Sequence, residues 1–356
     1  MQRPPTHDAA VIGGGVVGCA VALALARRGA GTVLFEAEDE LARWASGTNS
    51  GILHTGFDST PGELETELIL RSAQLRDPVL EALGVPVVRC GATLRPRDAA
   101  ERAKVAALAE NAAANGVAAE LNADGSLDVP GESVTDPVAY TRALAAAAQA
   151  CGAEVRLGER VTGLRRVAGG LEVAGVRCRA VVNCAGLFAD EVARLAGDHT
   201  FEIYPRKGEF FVFEGALDRI LLPVPDERTK GVLVFPTVDG HVIAGPTAID
   251  LDDKRDRSVR PEALAEIRAK VDAMLPGLGE PVHAYAGLRP AGRGVNYLIE
   301  RSRACPELVN VAAIRSTGLT ASLGIAEHVA EILGFPAERA PLPALAPTTS
   351  GRWWAS

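Results

Sequence analysis

No two of the six cysteines (Cys19, Cys90, Cys151, Cys178, Cys184 and Cys305) stand in C-x-x-C spacing. Zinc or iron–sulfur ligation is therefore not expected, nor any other metal, and the thiols read as reduced. No apolar run reaches the roughly 20 residues that cross a bilayer, so no transmembrane segment is expected. The first apolar strand starts almost at once, which leaves no room for a signal peptide; a cytoplasmic location is the expectation. Basic residues do not outnumber acidic ones: 37 against 45, a formal net charge of −8. That balance argues against nucleic acid as a general partner. Internal repeats and low-complexity segments are absent. What remains is an ordinary globular composition, 47% apolar and 23% charged over 356 residues, long enough for two domains and a large core.

The stretch Asp8–Glu36 organises the chain. Ala9–Ile12 has the length of a buried parallel strand. Gly13-Gly14-Gly15-Val16-Val17-Gly18 contains G-x-G-x-x-G, and a helix-length apolar segment follows to Arg28, stopped by Gly29. Thr32–Phe35 reads as a second strand closed by Glu36. In that context Gly13 permits the turn, Gly15 lets a pyrophosphate approach the backbone, and Gly18 lets the helix pack on the strand. The helix N-terminus offers free N–H groups to phosphate. Glu36 suits a ribose without a 2′-phosphate. Dinucleotide binding is the reading; an ordinary glycine-rich turn is its alternative.

Further along, residues 37–44 have helical period, and 46–56 form a loop of small and hydroxyl residues around His54. Helices are expected over 61–83, 97–115, 135–150, 188–195, 261–275 and 316–333, with strands over 85–94, 154–157, 160–166, 171–173, 179–183, 282–288 and 308–314. Short alternating runs between Tyr204 and Thr247 predict an antiparallel sheet. The Pro- and Ala-rich tail from Pro336 reads as a loosely docked terminus. The fold class is thus α/β, or mixed α+β: a Rossmann-like parallel-sheet domain and a β-rich substrate-binding domain. Residues 1–86, 141–200 and 281–356 form the first, discontinuous domain, and 87–140 with 201–280 form the second.

Six segments carry a family signal: GGGVVG with Glu36, Asn49–Leu64 (NSGILHTGFDSTPGEL), Asn183–Gly186 (NCAG), Arg206–Phe213 (RKGEFFVF), Gly287–Ala291 (GLRPA) and Ile314–Ser322 (IRSTGLTAS). Together they resemble the FAD-dependent oxidoreductases of the D-amino-acid oxidase superfamily, in particular its glycerol-3-phosphate dehydrogenase and L-2-hydroxyglutarate dehydrogenase or oxidase branch. The resemblance implies FAD as cofactor. It implies that Ser46, Gly47, Asn49, Ser50, Gly51, Val161, Ala185, Gly186 and Gly287 lie along it, beside Gly13, Gly15, Val16, Val17, Gly18 and Glu36. Gly318, Leu319 and Thr320 open a late helix whose N–H groups suit negative charge on a reduced flavin; a plain cap by Ser316 or Thr317 is the competing reading.

The chemistry implied is oxidation of a CH–OH group in a small anionic substrate, with electrons leaving to oxygen, a quinone or an electron-transfer protein. His54 is the candidate base, or else a residue that only fixes geometry; His283 is second. Arg289 suits an anion, against the alternative of a surface arginine. Arg206, Lys207 and Arg315 are weaker candidates, Arg315 serving either the substrate or an acid. Oxidation of CH–NH in an amine or amino acid, and a non-catalytic dinucleotide-binding protein, are the rival functions.

Overall fold

The computed structural model describes residues 6–225 and 231–355. One sheet carries a parallel run in the spatial order Glu154–Arg156, Thr32–Phe35, His7–Ile12, Val176–Asn183, Leu308–Ala312. The hairpin Leu164–Val167/Gly170–Val173 and the strand Leu298–Arg301 add antiparallel pairs to it. Ile12 lies opposite both Phe35 and Asn183, Phe35 lies opposite Arg156, and Asn183 lies opposite Asn310, two residues before its strand ends. Four carboxyl strand ends therefore share one edge, where open α/β sheets place their ligands.

Seven α-helices are found among the described residues: α1 (Val16–Ala26), α2 (Leu64–Ala82), α3 (Ala99–Ala114), α4 (Pro137–Ala150), α5 (Ala189–Leu195), α6 (Ala263–Val271) and α7 (Gly318–Ile332). Nearly every residue of α1 is buried, because it packs on α4, on α7 and on the sheet. That is why its sequence is apolar all round rather than striped. The Asp136 carboxylate accepts from Val138 N and Ala139 N at 3.0 and 2.8 Å, and Pro137 fills the first turn of α4, as the sequence pattern predicts.

The second sheet is built on Ile203–Glu214. One edge pairs with Pro281–Gly292; the other pairs with His241–Gly245 and Ile249–Asp250. It is antiparallel except where Ile220–Leu222 runs parallel to Ala92–Leu94. A small third sheet joins Ile52–Leu53, Ser133–Thr135 and Val87–Val88. The architecture is the expected mixture of a parallel nucleotide-type sheet and a β-rich layer. By sheet membership, residues 281–292 go with the β-rich layer and not with the nucleotide-side strands.

Several local expectations fail for identifiable reasons. Residues 37–44 form turns and not a helix; Ala42 has φ +63°, outside the helical region. The strand expected over 85–94 is split at Gly91 (φ +65°), and its halves enter different sheets. Pro61 lies outside α2. Pro290 does not stop its strand: its carbonyl accepts from Arg315 N at 3.1 Å, away from Ile203–Glu214, so the missing N–H falls on the unpaired edge.

The tail is also tightly docked rather than loose. Ala340 N, Leu345 N and Thr348 N donate to the carbonyls of Arg27, Ala82 and Gly84 at 2.7, 2.8 and 3.0 Å. Ser350 N donates to the Asp136 carboxylate at 2.7 Å, the same carboxylate that caps α4. Trp353 and Trp354 are 2% and 3% exposed; the first packs edge-on against Tyr285 and the second against His241. Trp353→Ala is therefore expected to cost about 3–5 kcal/mol of stability, the usual figure for an emptied large aromatic site. Urea denaturation checks this, and an unchanged midpoint would show that the tail holds nothing together.

Candidate active site

Beyond the shared strand edge lies a cavity of about 170 Å³. The turn after the first strand brings Gly13, Gly15, Val16 and Val17 to it, and the next strand end brings Glu36. Ser46 and Asn49 come from the small-residue loop, Val161 from the far side, and Ala185 and Gly186 from the end of Val176–Asn183. Gly318 and Leu319 arrive from α7. Gly13 has φ +112°, and a Cβ there would lie 2.4 Å from Cys184 O. Gly18 does not face the cavity; a Cβ on it would lie 1.9 Å from Gly13 O, so it serves close helix–strand packing.

These residues fit a dinucleotide. Neither Gly15 nor Thr317, the cap residues of α1 and α7, bonds its helix by side chain, though Ser46 Oγ accepts from Val16 N at 2.9 Å; both N-termini face this one cavity. The Thr317 hydroxyl, the competing cap for α7, is engaged instead by Glu65 Oε1 at 2.8 Å and Tyr297 OH at 2.7 Å. Two positive helix ends aimed into one crevice suit the phosphates and an anionic ring edge. Glu36 accepts from Gly14 N at 2.6 Å and Glu38 N at 2.9 Å, which fixes its carboxylate at the cavity wall with lone pairs left for hydroxyl donors. Trp44 and Phe188, edge to face at 5.3 Å, also line it, and Arg257 lies over the Trp44 ring at 5.1 Å. Burial pushes the thiols of Cys19 and Cys184 up, so they sit under the turn as small hydrophobes.

A second cavity, about 310 Å³, meets the first at Ala45, Asn49, Arg315 and Ser316. His54, Ser50, Arg206, Gly287 and Arg289 line it, with Phe57, Phe210, Leu222 and Phe235 as apolar walls. Gly287 has no side chain where a Cβ would lie 2.7 Å from Thr48 Oγ1, so the loop carrying Asn49 and Ser50 can close on the second sheet. Arg289 donates from Nε to Arg206 O and from Nη2 to Lys207 O and Thr247 O, at 3.1, 3.1 and 2.7 Å. Among the described residues it has no carboxylate partner within ion-pair distance. Burial first, and then Arg206, pull its guanidinium down to about 10, which leaves it cationic at neutral pH. Arg206 is held bidentately by Asp250 at 2.5 and 2.9 Å. Arg315 reaches Glu65 only at 3.5 Å.

His54 Nδ1 lies 2.8 Å from Glu132 Oε2, and Glu132 is fully buried. The other carboxylate oxygen accepts from Thr55 N at 2.6 Å and Thr55 Oγ1 at 2.9 Å. Sequence reasoning missed Glu132: it stands 78 residues from His54 in an ordinary Pro-Gly-Glu turn. Other candidates fall away. Lys207 is 2% exposed and bound to Asp256 at 2.8 Å, on the face opposite Arg206. His283 packs by Trp354, outside both cavities. Gly47 and Gly51 sit in turns whose glycines avoid Ala42 O and Thr135 O. Thr320 faces neither cavity; its hydroxyl accepts from His54 N at 3.1 Å.

A crevice at parallel strand ends, two helix N-termini facing it and an adjoining cavity lined by Arg289 and His54 suit a dinucleotide cofactor beside a substrate, as in a flavoprotein oxidoreductase. The family model described as FAD dependent oxidoreductase matches residues 8–332, and the chain belongs to that family. It is 30% identical over 354 residues to glycerol 3-phosphate dehydrogenase of Caloramator mitchellensis, across 92% of this chain and 73% of that one. FAD-bound L-alpha-glycerophosphate oxidase of Mycoplasma pneumoniae superposes with a TM-score of 0.88 at 26% identity, over 95% of this chain and 97% of that one. L-2-hydroxyglutarate dehydrogenase of Escherichia coli strain K12 is 28% identical over 270 residues, 68% of this chain and 64% of that one. The chain is therefore an FAD-dependent oxidoreductase.

Gly15 is the position at which a side chain enters the phosphate crevice; a Cβ there is already 3.1 Å from Ser46 Oγ. Gly15→Val should leave the fold intact and lower the FAD retained per purified chain several-fold. Released flavin quantified against protein is the check, and full occupancy in a folded variant would contradict the assignment.

Proposed function

We propose that this oxidoreductase oxidises the CH–OH group of a small anion, glycerol 3-phosphate or a hydroxy acid like L-2-hydroxyglutarate. One observation carries the reading: Arg289 lines the second cavity as a cation with no carboxylate partner among the described residues, and His54 lines the same cavity with its ring already held by an acid. Arg289 has two of its donor nitrogens on backbone carbonyls, which aim the planar fork and leave Nη1 for an anionic group. Arg315, loosely paired, stands at the junction of the cavities as a second cation for the same group. Arg206 is neutralised by Asp250 and contributes less.

His54 takes the hydroxyl proton through Nε2, the ring nitrogen that Glu132 does not use. When bound, FAD supplies the two-electron acceptor for the hydrogen on the same carbon. The phenyl rings of Phe57, Phe210 and Phe235 surround the reacting carbon with apolar surface and limit water there. The names of the relatives support the two substrates, and the cationic cavity supports an anion in either case. The electron acceptor is oxygen, a quinone or an electron-transfer protein.

The test is an anaerobic screen of the FAD-loaded protein. Glycerol 3-phosphate or L-2-hydroxyglutarate should bleach the visible flavin absorbance within seconds to minutes, and admitting air afterwards asks whether oxygen accepts the electrons. Amino acids should leave the spectrum unchanged. Bleaching by amino acids alone would establish CH–NH oxidation instead, and no bleaching by either class would favour a binding protein.

A further inference from the structure

We infer that Glu132 is a positioning residue that sets the tautomer of His54, so that Nε2 faces the second cavity as a bare proton acceptor; this rests on His54 acting as the base. The geometry is restrictive. Glu132 has no solvent exposure, and both its oxygens are occupied. Oε1 accepts from Thr55 N at 2.6 Å and from Thr55 Oγ1 at 2.9 Å; Oε2 faces His54 Nδ1 at 2.8 Å. A carboxylate only accepts, so the atom facing it must donate. Nδ1 therefore carries the ring proton, and Nε2 is left with its lone pair toward the cavity that His54 lines. The backbone is pinned as well: His54 N donates to Thr320 Oγ1 at 3.1 Å, and His54 O accepts from Arg76 Nη1 at 3.0 Å. Arg76 is buried close to Glu132 and is the cation that balances it.

The same carboxylate serves the step itself. When the substrate hydroxyl loses its proton to Nε2, the O–H bond breaks, an Nε2–H bond forms, and the ring becomes a cation. Bound FAD would accept the hydrogen and electron pair that leave the carbon, so that the alcohol becomes a carbonyl. Glu132 then faces a full positive charge across its existing hydrogen bond, with no movement needed.

This makes an isosteric change unusually informative. In Glu132→Gln the amide oxygen must stay on Thr55 N, because a backbone N–H can only donate. The amide NH2 then points at Nδ1, which must accept, and the ring proton moves to Nε2. The acceptor is lost with no change in side-chain volume.

Two measurements test the inference. The first is the ring ¹⁵N spectrum of histidine-labelled protein, with His54 assigned by its loss in His54→Gln; it needs neither turnover nor bound substrate. Wild type should show Nδ1 protonated and Nε2 bare, and Glu132→Gln should show the reverse. A wild-type ring protonated on Nε2 overturns the inference whether or not the variant folds. The second is a double-variant cycle on the limiting rate of flavin reduction. Glu132→Gln should lower that rate by about 10²–10⁴-fold, as His54→Gln does, with little change in substrate dissociation constant or FAD occupancy. In the His54→Gln background the same change should cost less than about 3-fold. Independent, multiplying losses would show a merely structural role. Loss in His54→Gln with none in Glu132→Gln sinks the positioning role of Glu132 alone; a His54→Gln chain that reduces at the wild-type rate sinks the base assignment and that role with it.

Discussion

The pairing of Ile203–Glu214 with Pro281–Gly292 sets two arginines directly opposite each other, Arg206 against Arg289. Like charges across an antiparallel pair are unfavourable, and burial adds to the cost. The two are relieved differently. Asp250 on the neighbouring strand takes Arg206 in a bidentate pair. Among the described residues Arg289 receives only carbonyl oxygens, and a Cβ at Gly208 would stand 3.1 Å from its Nη2, so glycine there leaves the guanidinium room. The sheet thus holds one arginine neutralised and one waiting for charge. An anion entering the second cavity relieves that constraint, which ties substrate class to strand register.

The other half of the site follows from strand ends rather than from side-chain charge. Arg156, Phe35, Ile12 and Asn183 finish level with one another, and Asn183 Nδ2 donates to Asn310 Oδ1 at 2.9 Å, joining the last of those ends to the neighbouring strand by side chain. Helices α1 and α7 then begin facing the same space, neither bonded by the side chain of its own cap residue, with Val16 N of α1 donating to Ser46 Oγ at 2.9 Å. The dinucleotide crevice and the cationic cavity meet because the loop through Asn49 and Ser50 lies between them, closed against Gly287. A bound cofactor and a bound substrate would face each other across that loop, beside His54.

Much of this was readable from the chain. The segment Gly13–Glu36, the strand end before Cys184-Ala185-Gly186 and the late helix start at Gly318 are local patterns whose spacing states their geometry. Lys207 could have been set aside by alternation alone, since a strand turns neighbours to opposite faces. His283 shares the face of Arg289 but stands six residues away, about 20 Å along the strand. Glu132 left no such trace. Its role depends on a fold-level meeting between the Ile52–Leu53 and Ser133–Thr135 strands, and its own turn looks ordinary. The tail misled for a related reason: its proline and alanine content reads as a loosely docked terminus, while Trp353 and Trp354 find their partners on distant strands.

In the proposed reaction Arg289 recognises charge and His54 removes the proton, and the most direct measurement separates those two. Rapid mixing with the substrate that bleaches the flavin gives both a dissociation constant and a limiting reduction rate. Arg289→Ala should raise the dissociation constant by 10²-fold or more (about 3 kcal/mol, a lost charge-assisted pair) while the limiting rate moves little, and Arg289→Lys should recover only part of it. His54→Gln should do the opposite, slowing reduction with substrate affinity nearly intact. A variant pair that changes both parameters alike, or an Arg289→Ala chain that binds its substrate as wild type does, would contradict the division of labour.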